Sequence, residues 1–280
     1  MTSPSGPKAV AGRGPTFLIA GVMKGGTSSL HWYLDQHPQV FMTTRKELHF
    51  FDRPPAWRVA ALDQYLARFD DTGRFTARGE SSPSYCYAPG AMAAVAEYDP
   101  QMKIIISLRD PVDRAISHIE HRHKISRRPH KTLVHFDIWE ELARDLRTQP
   151  LQPGAQVTER SRGYHVRGHY HQQLRRIYEH FPTQQVLVLR LEDFRSDAAG
   201  QLDRVTDFLG IARHTFDNLA PSNVNQYERP EAAVYEYLAV YYLIHNRILT
   251  EDYGIRTDDW RTPASPLLRL PGAAPGEPPA

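Results

Sequence analysis

A glycine-rich stretch near the start of the chain combines residue types that bind phosphate groups. Residues 21–29 read GVMKGGTSS, so that Lys24 is followed by two glycines and three hydroxyl side chains. Glycines let a backbone approach a phosphate closely, a lysine supplies a mobile positive charge, and hydroxyls donate hydrogen bonds. A helix N-terminus alone contributes only about 0.3 to 2 kcal/mol, so tight binding needs the lysine and the amides together. The stretch therefore predicts an anion site.

The order of these residues differs from that of a Walker A loop. In G-x-x-x-x-G-K-[ST] the lysine follows the last glycine, whereas Lys24 precedes Gly25 and Gly26. No acidic residue follows a strand in an obvious magnesium-holding context, which a nucleoside triphosphatase requires. A nucleotide-dependent kinase remains an alternative on this evidence, as does a glycine-rich turn that binds no ligand.

A second candidate anion site lies near the middle of the chain. Arg109 follows an apolar run, and Ser117 lies eight residues further on, about two helical turns along. Both side chains can face one phosphate group. Taken alone, Arg109 can equally pair with Asp113 or Glu120 at the surface. Together with the glycine-rich loop, however, Arg109 and Ser117 support a second anion site.

Short apolar runs precede both candidate sites and are typical of buried strands. They cover Phe17–Val22, Lys103–Leu108 and Val186–Arg190. A helix is predicted directly after the glycine-rich loop, with Thr27, Ser28 or Ser29 as its N-cap, and another opens at Pro111. Further helices are predicted over Phe136–Leu146, Tyr170–Phe181, Gln201–Leu209 and Glu231–Leu249. The alternation predicts an α/β fold with a parallel sheet that collects ligands at the carboxyl ends of its strands.

Composition narrows the class of protein. The 280 residues are 41% hydrophobic and 24% charged with a net charge of +2, which suits one large domain and does not suit a dedicated nucleic-acid binder. Pro, Gly and Ala crowd both ends, predicting disordered tails over 1–15 and 263–280 around a domain over 16–262. No apolar run approaches the roughly 20 residues that span a bilayer, no secretory signal opens the chain, and Cys86 is the single cysteine. We therefore expect a soluble, cytoplasmic protein without a membrane span.

Six motifs in the expected order make the chain resemble the sulfotransferases that use 3′-phosphoadenosine 5′-phosphosulfate (PAPS). Within that family the chain resembles the branch of heparan-type and many bacterial carbohydrate or small-molecule sulfotransferases. The motifs are Gly21–Ser29, KELHFF over 46–51, GESSPSY over 79–85, LRDPVDRAIS over 108–117, the helix over 167–182, and the V-L-R-x-E-D to FLG region over 186–209. Together the motifs and their surroundings span about residues 17 to 260.

The resemblance implies a P-loop-like, three-layer α/β fold in which a central, five-stranded parallel β-sheet is flanked by helices. It implies that PAPS lies across the strand ends and leaves as 3′-phosphoadenosine 5′-phosphate (PAP). Arg109 and Ser117 would hold the 3′-phosphate, with Arg229 in place of a family cation that this chain lacks. The 5′-phosphosulfate would be held by Lys24, Gly25, Gly26, Thr27, Ser28 and Ser29.

The resemblance also suggests the catalytic residues. Lys24 would neutralise charge that develops on the leaving phosphate, and Glu47 would take the proton from the acceptor. His49 would orient Glu47 or the acceptor, or act as the base itself. In an extended segment the side chains of Glu47 and His49 point to the same side. The transfer requires no metal ion.

The acceptor is not defined by any motif. It is expected to carry a hydroxyl or amine group, and the basic residues around Arg127 and Arg128 suggest that it is acidic. Three classes of protein remain: a sulfotransferase, a nucleotide-dependent small-molecule kinase, and a non-catalytic nucleotide-binding protein of the same fold. The number of subunits is left open.

Overall fold

A computed structural model describes residues 6–10, 12–70, 72–126, 137–148, 162–219 and 230–263. The chain divides into two compact units, one of Met1–Arg109 with Gln173–Val224 and one of Asp110–Gln172 with Asn225–Ala280. In chain order the elements are β1 (Phe17–Gly21), α1 (Thr27–Asp35), β2 (Val40–Met42), α2 (Pro55–Leu66), β3 (Ala77–Ser81), α3 (Ala91–Tyr98), β4 (Lys103–Leu108), α4 (Pro111–Ser126), α5 (Ile138–Thr148), α6 (Tyr170–Tyr178), β5 (Val186–Arg190), α7 (Leu191–Ser196), α8 (Ala198–Leu209) and α9 (Ala232–Tyr253).

The first unit contains a sheet of five strands, all parallel, in the order β2-β3-β1-β4-β5. The central strand β1 pairs Phe17 with Gly79 of β3 on one side and with Lys103 of β4 on the other. The chain places β2 and β3 on one side of β1, then β4 and β5 on the other. The carboxyl end of β1 therefore lies where the strand order reverses, the usual ligand position in such sheets. The predicted α/β class, parallel sheet and five strands are confirmed.

Packing of helices onto the sheet follows from its apolar strands. Residues 17–20 of β1 are wholly buried, as expected for a strand covered on both faces. On one face, Ile19 and Ile105 share a core with Leu34 of α1 and Val205 of α8. This core fixes α1 directly behind the loop that follows β1.

The second unit contains a smaller core of its own. Ile116 of α4, Leu142 of α5, and Leu238 and Tyr242 of α9 pack in one apolar cluster. The buried guanidinium of Arg114 donates a hydrogen bond to the Tyr164 carbonyl. Within the described ranges, no helix is long and apolar enough to cross a membrane.

Two details differ from expectation. The predicted N-cap residues Thr27, Ser28 and Ser29 lie inside α1, and the N-cap is Gly26, whose φ of 87° favours glycine. Residues 6–10 and 12–15 fall in the predicted N-terminal tail, yet the Ala9 amide donates to the Tyr98 carbonyl over 2.8 Å. The division into one domain and two tails otherwise stays a prediction.

Candidate donor and catalytic site

The candidate site residues of the first unit all follow the carboxyl end of a strand. Lys24 follows β1, Lys46 and Glu47 follow β2, Ser82 follows β3, and Arg109 follows β4. Because the carboxyl ends of parallel strands meet at one edge of the sheet, four separate stretches of sequence converge there.

Hydrogen bonds to β4 shape the glycine-rich loop between β1 and α1. The Ser107 hydroxyl donates to the Gly25 carbonyl over 2.6 Å, and the Val22 amide donates to the Ser107 carbonyl over 3.0 Å. A Cβ atom on Gly25 would lie 2.2 Å from the Ser107 carbonyl oxygen, so only glycine fits there. Gly26 has no side chain to cap the first amides of α1, which suits an anion at that position.

Arg109 contacts this loop directly. Its Nη1 donates to the Lys24 carbonyl over 3.4 Å, which brings one residue of the second predicted anion site against the first. Ser117 lies on α4 in the second unit and is buried, and Arg229 lies outside the described residues. The 3′-phosphate assignment of these three residues stays a prediction. Asp113, one of the two surface alternatives for pairing with Arg109, accepts a hydrogen bond from Arg261 over 2.8 Å within its own unit.

Lys46 is a candidate binding residue that the sequence reasoning missed. Its Nζ donates to the Ser28 hydroxyl over 2.6 Å, at the start of α1. Burial has the largest effect and lowers the pKa of Lys46. The Glu47 carboxylate raises this pKa, and repulsion from Lys24 lowers it. Together these effects bring the pKa of Lys46 to about 8. The lysine precedes Glu47 in the KELHFF motif, which was the available signal. A second lysine thus lies beside the loop that contains Lys24.

Glu47, His49 and Asp52 form a connected group after β2. His49 Nδ1 lies 2.8 Å from Asp52 Oδ2, and His49 Nε2 lies 3.7 Å from Glu47 Oε2. The Ser84 hydroxyl also donates to Asp52 over 2.8 Å. The prediction of an extended segment is wrong, because Glu47 and His49 have φ angles of 57° and 53°. Their side chains nonetheless approach each other, as the candidate roles require.

The charge of His49 follows from these contacts. Hydrogen bonds to Asp52 and then to Glu47 outweigh the effect of burial and raise the pKa of His49 to about 9. Burial opposes ionisation of Asp52, but its bonds from His49 and Ser84 are stronger together and lower its pKa. At neutral pH the imidazole is therefore protonated, donates a hydrogen bond to Asp52, and forms an ion pair with Glu47 at 3.7 Å. A protonated imidazole cannot act as a general base.

Left-handed backbone marks the same residues that the sequence selects as catalytic. In the described part of the chain, the non-glycine residues with positive φ are Lys24, Glu47 and His49. Each such conformation costs an L-residue about 1 to 2 kcal/mol, and outliers of this kind concentrate at functional sites. The catalytic roles of these three residues stay a prediction.

Metal binding has no visible basis in the described residues. Across those ranges, no group of three or more His, Cys, Asp or Glu side chains is arranged to hold a metal ion.

The parallel sheet, the glycine-rich loop and the strand-end lysines place a set of candidate anion-binding groups at the carboxyl edge of the sheet. The chain belongs to the family of proteins with a sulfotransferase domain. Residues 15–232 match this domain. The family resemblance predicted from the motifs is thereby confirmed.

Relatives within this family are named as heparan sulfate sulfotransferases of different positional specificity. The chain is 35% identical over 203 residues to the human heparan sulfate glucosamine 3-O-sulfotransferase 3B1, covering 71% of this chain and 47% of that protein. It is 29% identical over 209 residues to the human bifunctional heparan sulfate N-deacetylase/N-sulfotransferase 3, covering 71% of this chain and 23% of that protein. The chain thus spans about half the length of the 3-O-sulfotransferase relative and less of the second.

A solved structure supports the fold along nearly the whole chain. The crystal structure of a sulfotransferase from Alicyclobacillus acidocaldarius superposes with a TM-score of 0.71 at 27% identity. The match covers 86% of this chain and 96% of that one.

Proposed function

We propose that this chain transfers a sulfuryl group from PAPS to a hydroxyl or amine group of a carbohydrate or small-molecule acceptor. The observation that carries the proposal is the convergence of Lys24, Lys46 and Glu47 at the strand ends, where Lys46 contacts Ser28 at the start of α1. Family membership over residues 15–232 supports the same chemistry.

The donor would be held by the glycine-rich loop. The amides at the start of α1, the Ser28 hydroxyl and the two lysines suit the 5′-phosphosulfate of PAPS, which brings the activated sulfuryl group. As the bond between sulfur and the bridging phosphate oxygen breaks, negative charge moves onto that oxygen. Lys24 is assigned to neutralise it, because fixed positive charge is most effective where charge develops.

The acceptor would be deprotonated by Glu47. Since His49 is held protonated by Asp52, its assigned role is to donate a hydrogen bond to Glu47 and keep that carboxylate in place. The acceptor oxygen or nitrogen forms the new bond to sulfur, its proton passes to Glu47, and PAP leaves. The assignment of the base to Glu47 rather than His49 agrees with the sequence-based preference.

The names of the relatives suggest a class of acceptor. Both relatives are named for heparan sulfate, one as a glucosamine 3-O-sulfotransferase and the other as an N-deacetylase/N-sulfotransferase. A glucosamine-containing, acidic glycan is therefore the first acceptor to test. The basic residues Arg127 and Arg128, which suggested an acidic acceptor, lie outside the described residues.

Thermal stabilisation by PAP tests the donor site without an acceptor. A ligand at about 100 times its Kd adds about 2.7 kcal/mol to the free energy of unfolding. We expect PAP to raise Tm equally with and without EDTA, and to do so more than ATP with Mg²⁺. Since Lys46 has a pKa of about 8, its contribution should fall at about pH 9.5, weakening PAP binding by about tenfold.

A matched variant separates Lys46 from other groups that titrate in this range. Lys46→Arg keeps its positive charge at high pH, so its affinity for PAP should change less between pH 7 and about pH 9.5 than that of the wild type. Stabilisation by ATP with Mg²⁺ but not by PAP would instead favour the kinase. If neither nucleotide stabilised the protein, the proposed donor site would be contradicted.

A further inference from the structure

A fully buried carboxylate lies directly beneath the segment that carries Glu47 and His49. Glu80 belongs to β3, between β2 and β1 in the sheet, and is 0% exposed. Nothing in the proposed transfer uses this carboxylate. A buried charge of this kind is costly unless hydrogen bonds compensate it, so its partners indicate what it does.

Three hydroxyl groups surround Glu80. The Tyr85 and Tyr65 hydroxyls donate to Oε1 over 2.8 Å and 2.9 Å, and the Ser82 hydroxyl donates to Oε2 over 2.8 Å. An ionised carboxylate only accepts hydrogen bonds, so these three donors match its carboxylate form. Burial, the largest influence, nevertheless raises the pKa of Glu80 against the effect of the three hydroxyls.

Two of these hydroxyls also hold the candidate catalytic segment. The Phe50 amide donates to the Tyr85 hydroxyl oxygen over 2.8 Å, and the His49 amide approaches the Ser82 hydroxyl oxygen at 3.4 Å. A hydroxyl has one hydrogen to donate. When Glu80 accepts that hydrogen, the oxygen of Tyr85 or Ser82 is left to accept from the segment above it.

The segment requires such anchors because its backbone is strained. Glu47 and His49 are both left-handed, with φ of 57° and 53°, and such conformations persist only where the surroundings determine them. The Glu47 amide is held by the Ser81 carbonyl over 2.9 Å, from the end of the same strand as Glu80. Anchors at residues 47, 49 and 50 thus all come from residues 81–85.

We propose that Glu80 is a positioning residue for the segment bearing Glu47 and His49, acting through the hydroxyls of Tyr85 and Ser82. It orients both hydroxyls so that their oxygens face the amides of Phe50 and His49. This inference rests on the proposed function insofar as that segment carries the base, whereas the anchoring itself concerns the folded protein alone.

Tyr85 and Tyr65 provide a matched pair of variants. Tyr85→Phe and Tyr65→Phe each remove one hydroxyl donor to the same oxygen of Glu80, from buried tyrosines. Of these two tyrosine hydroxyls, that of Tyr85 is the one that accepts a hydrogen bond from the segment in the described contacts. A purely structural role of the Glu80 cluster therefore predicts equal effects, and positioning through Tyr85 predicts unequal ones.

The test measures the imidazole pKa of His49 by NMR in the full chain, together with the Kd for PAP and with kcat and KM on an acceptor. The signal is assigned by its loss in His49→Gln. We expect Tyr85→Phe to shift the His49 pKa from about 9 toward its ordinary value and to lower kcat by about 10- to 100-fold, with the Kd for PAP unchanged within threefold. Tyr65→Phe should leave the His49 pKa and kcat unchanged within threefold.

Equal His49 pKa values in the two variants would overturn the positioning role. If Tyr85→Phe does not fold, Ser82→Ala is compared with Tyr65→Phe in its place, with the same expected and contradicting results. Failure of the wild-type protein to bind PAP would refute the proposed function, but a selective shift of the His49 pKa in Tyr85→Phe would still support positioning by Glu80.

Discussion

Replacing Glu47 by glutamine is expected to lower kcat by about 10³-fold while leaving the Kd for PAP within threefold of the wild-type value. General-base catalysis contributes about 10²- to 10⁴-fold, and glutamine keeps the shape of the side chain but cannot take a proton. In the proposed function the loop after β1 holds the donor and Glu47 does not, so the affinity for PAP should not change. Steady-state kinetics with a saturating donor and PAP titrations measure the two quantities.

Two further variants separate catalysis from stability at this position. Glu179→Gln removes an exposed carboxylate of the same unit and should leave kcat unchanged. Glu47→Gly removes the base and also relieves a left-handed conformation, so we expect the rate to fall without a loss of Tm. A Glu47→Gln protein that retained kcat within threefold would exclude Glu47 as the base.

Replacing Lys24 by methionine is expected to lower kcat by about 10²- to 10³-fold. Methionine fills a similar volume but supplies no positive charge to the leaving phosphate, and preorganised charges at such positions contribute rate factors of this size. The loss should appear in kcat more than in KM for the acceptor, because the charge is needed most in the transition state. Single-turnover kinetics would measure the chemical step directly.

Lys8→Met is the control for this prediction. Lys8 is an exposed lysine of the same unit whose Nζ donates to the Glu97 carbonyl over 2.9 Å. It carries the same charge and should leave kcat unchanged. A similar loss in both variants would indicate a general effect of net charge rather than a role of Lys24.

The left-handed backbone at Lys24, Glu47 and His49 lowers the stability of the fold, and contacts elsewhere must offset this loss. Three such residues together cost about 3 to 6 kcal/mol, which is comparable to the whole net stability of many domains. Contacts from the sheet, such as that between the Ser107 hydroxyl and the Gly25 carbonyl, hold the strained loops in place. We therefore expect the site to be maintained by β3 and β4 rather than by the loops themselves.

The sequence predicted the strands that contain an apolar run. β4 and β5 have the predicted bounds, because each has several consecutive apolar residues of the kind typical of strands. β3 reads ARGES and was missed, since its buried Glu80 gives no apolar signal. Of the hydroxyls that compensate Glu80, those of Ser82 and Tyr85 lie in the same motif, whereas that of Tyr65 comes from α2, so no local pattern reveals the whole set.

The candidate site was predicted in its residue types but not in its backbone. Ser and Thr are favoured N-caps, yet Gly26 takes that position because φ is 87° and a Cβ would lie 2.7 Å from the Leu191 side chain. Glu47 and His49 were expected in an extended segment, and anchors from residues 81–85 impose left-handed conformations on them instead. Lys46 was missed because its contact with Ser28 depends on how two strand ends meet.

Transfer of labelled sulfuryl from ³⁵S-PAPS to an acceptor, in the presence of EDTA, tests the central claim most directly. The first acceptors are heparosan-type glycans with free and N-sulfated glucosamine, beside a panel of simple hydroxyl- and amine-bearing compounds. We predict label on at least one acceptor with the wild-type protein and a loss of about 10³-fold with Glu47→Gln. Protein that binds PAP but transfers no label to any of these acceptors would contradict the account and favour a non-catalytic nucleotide-binding protein.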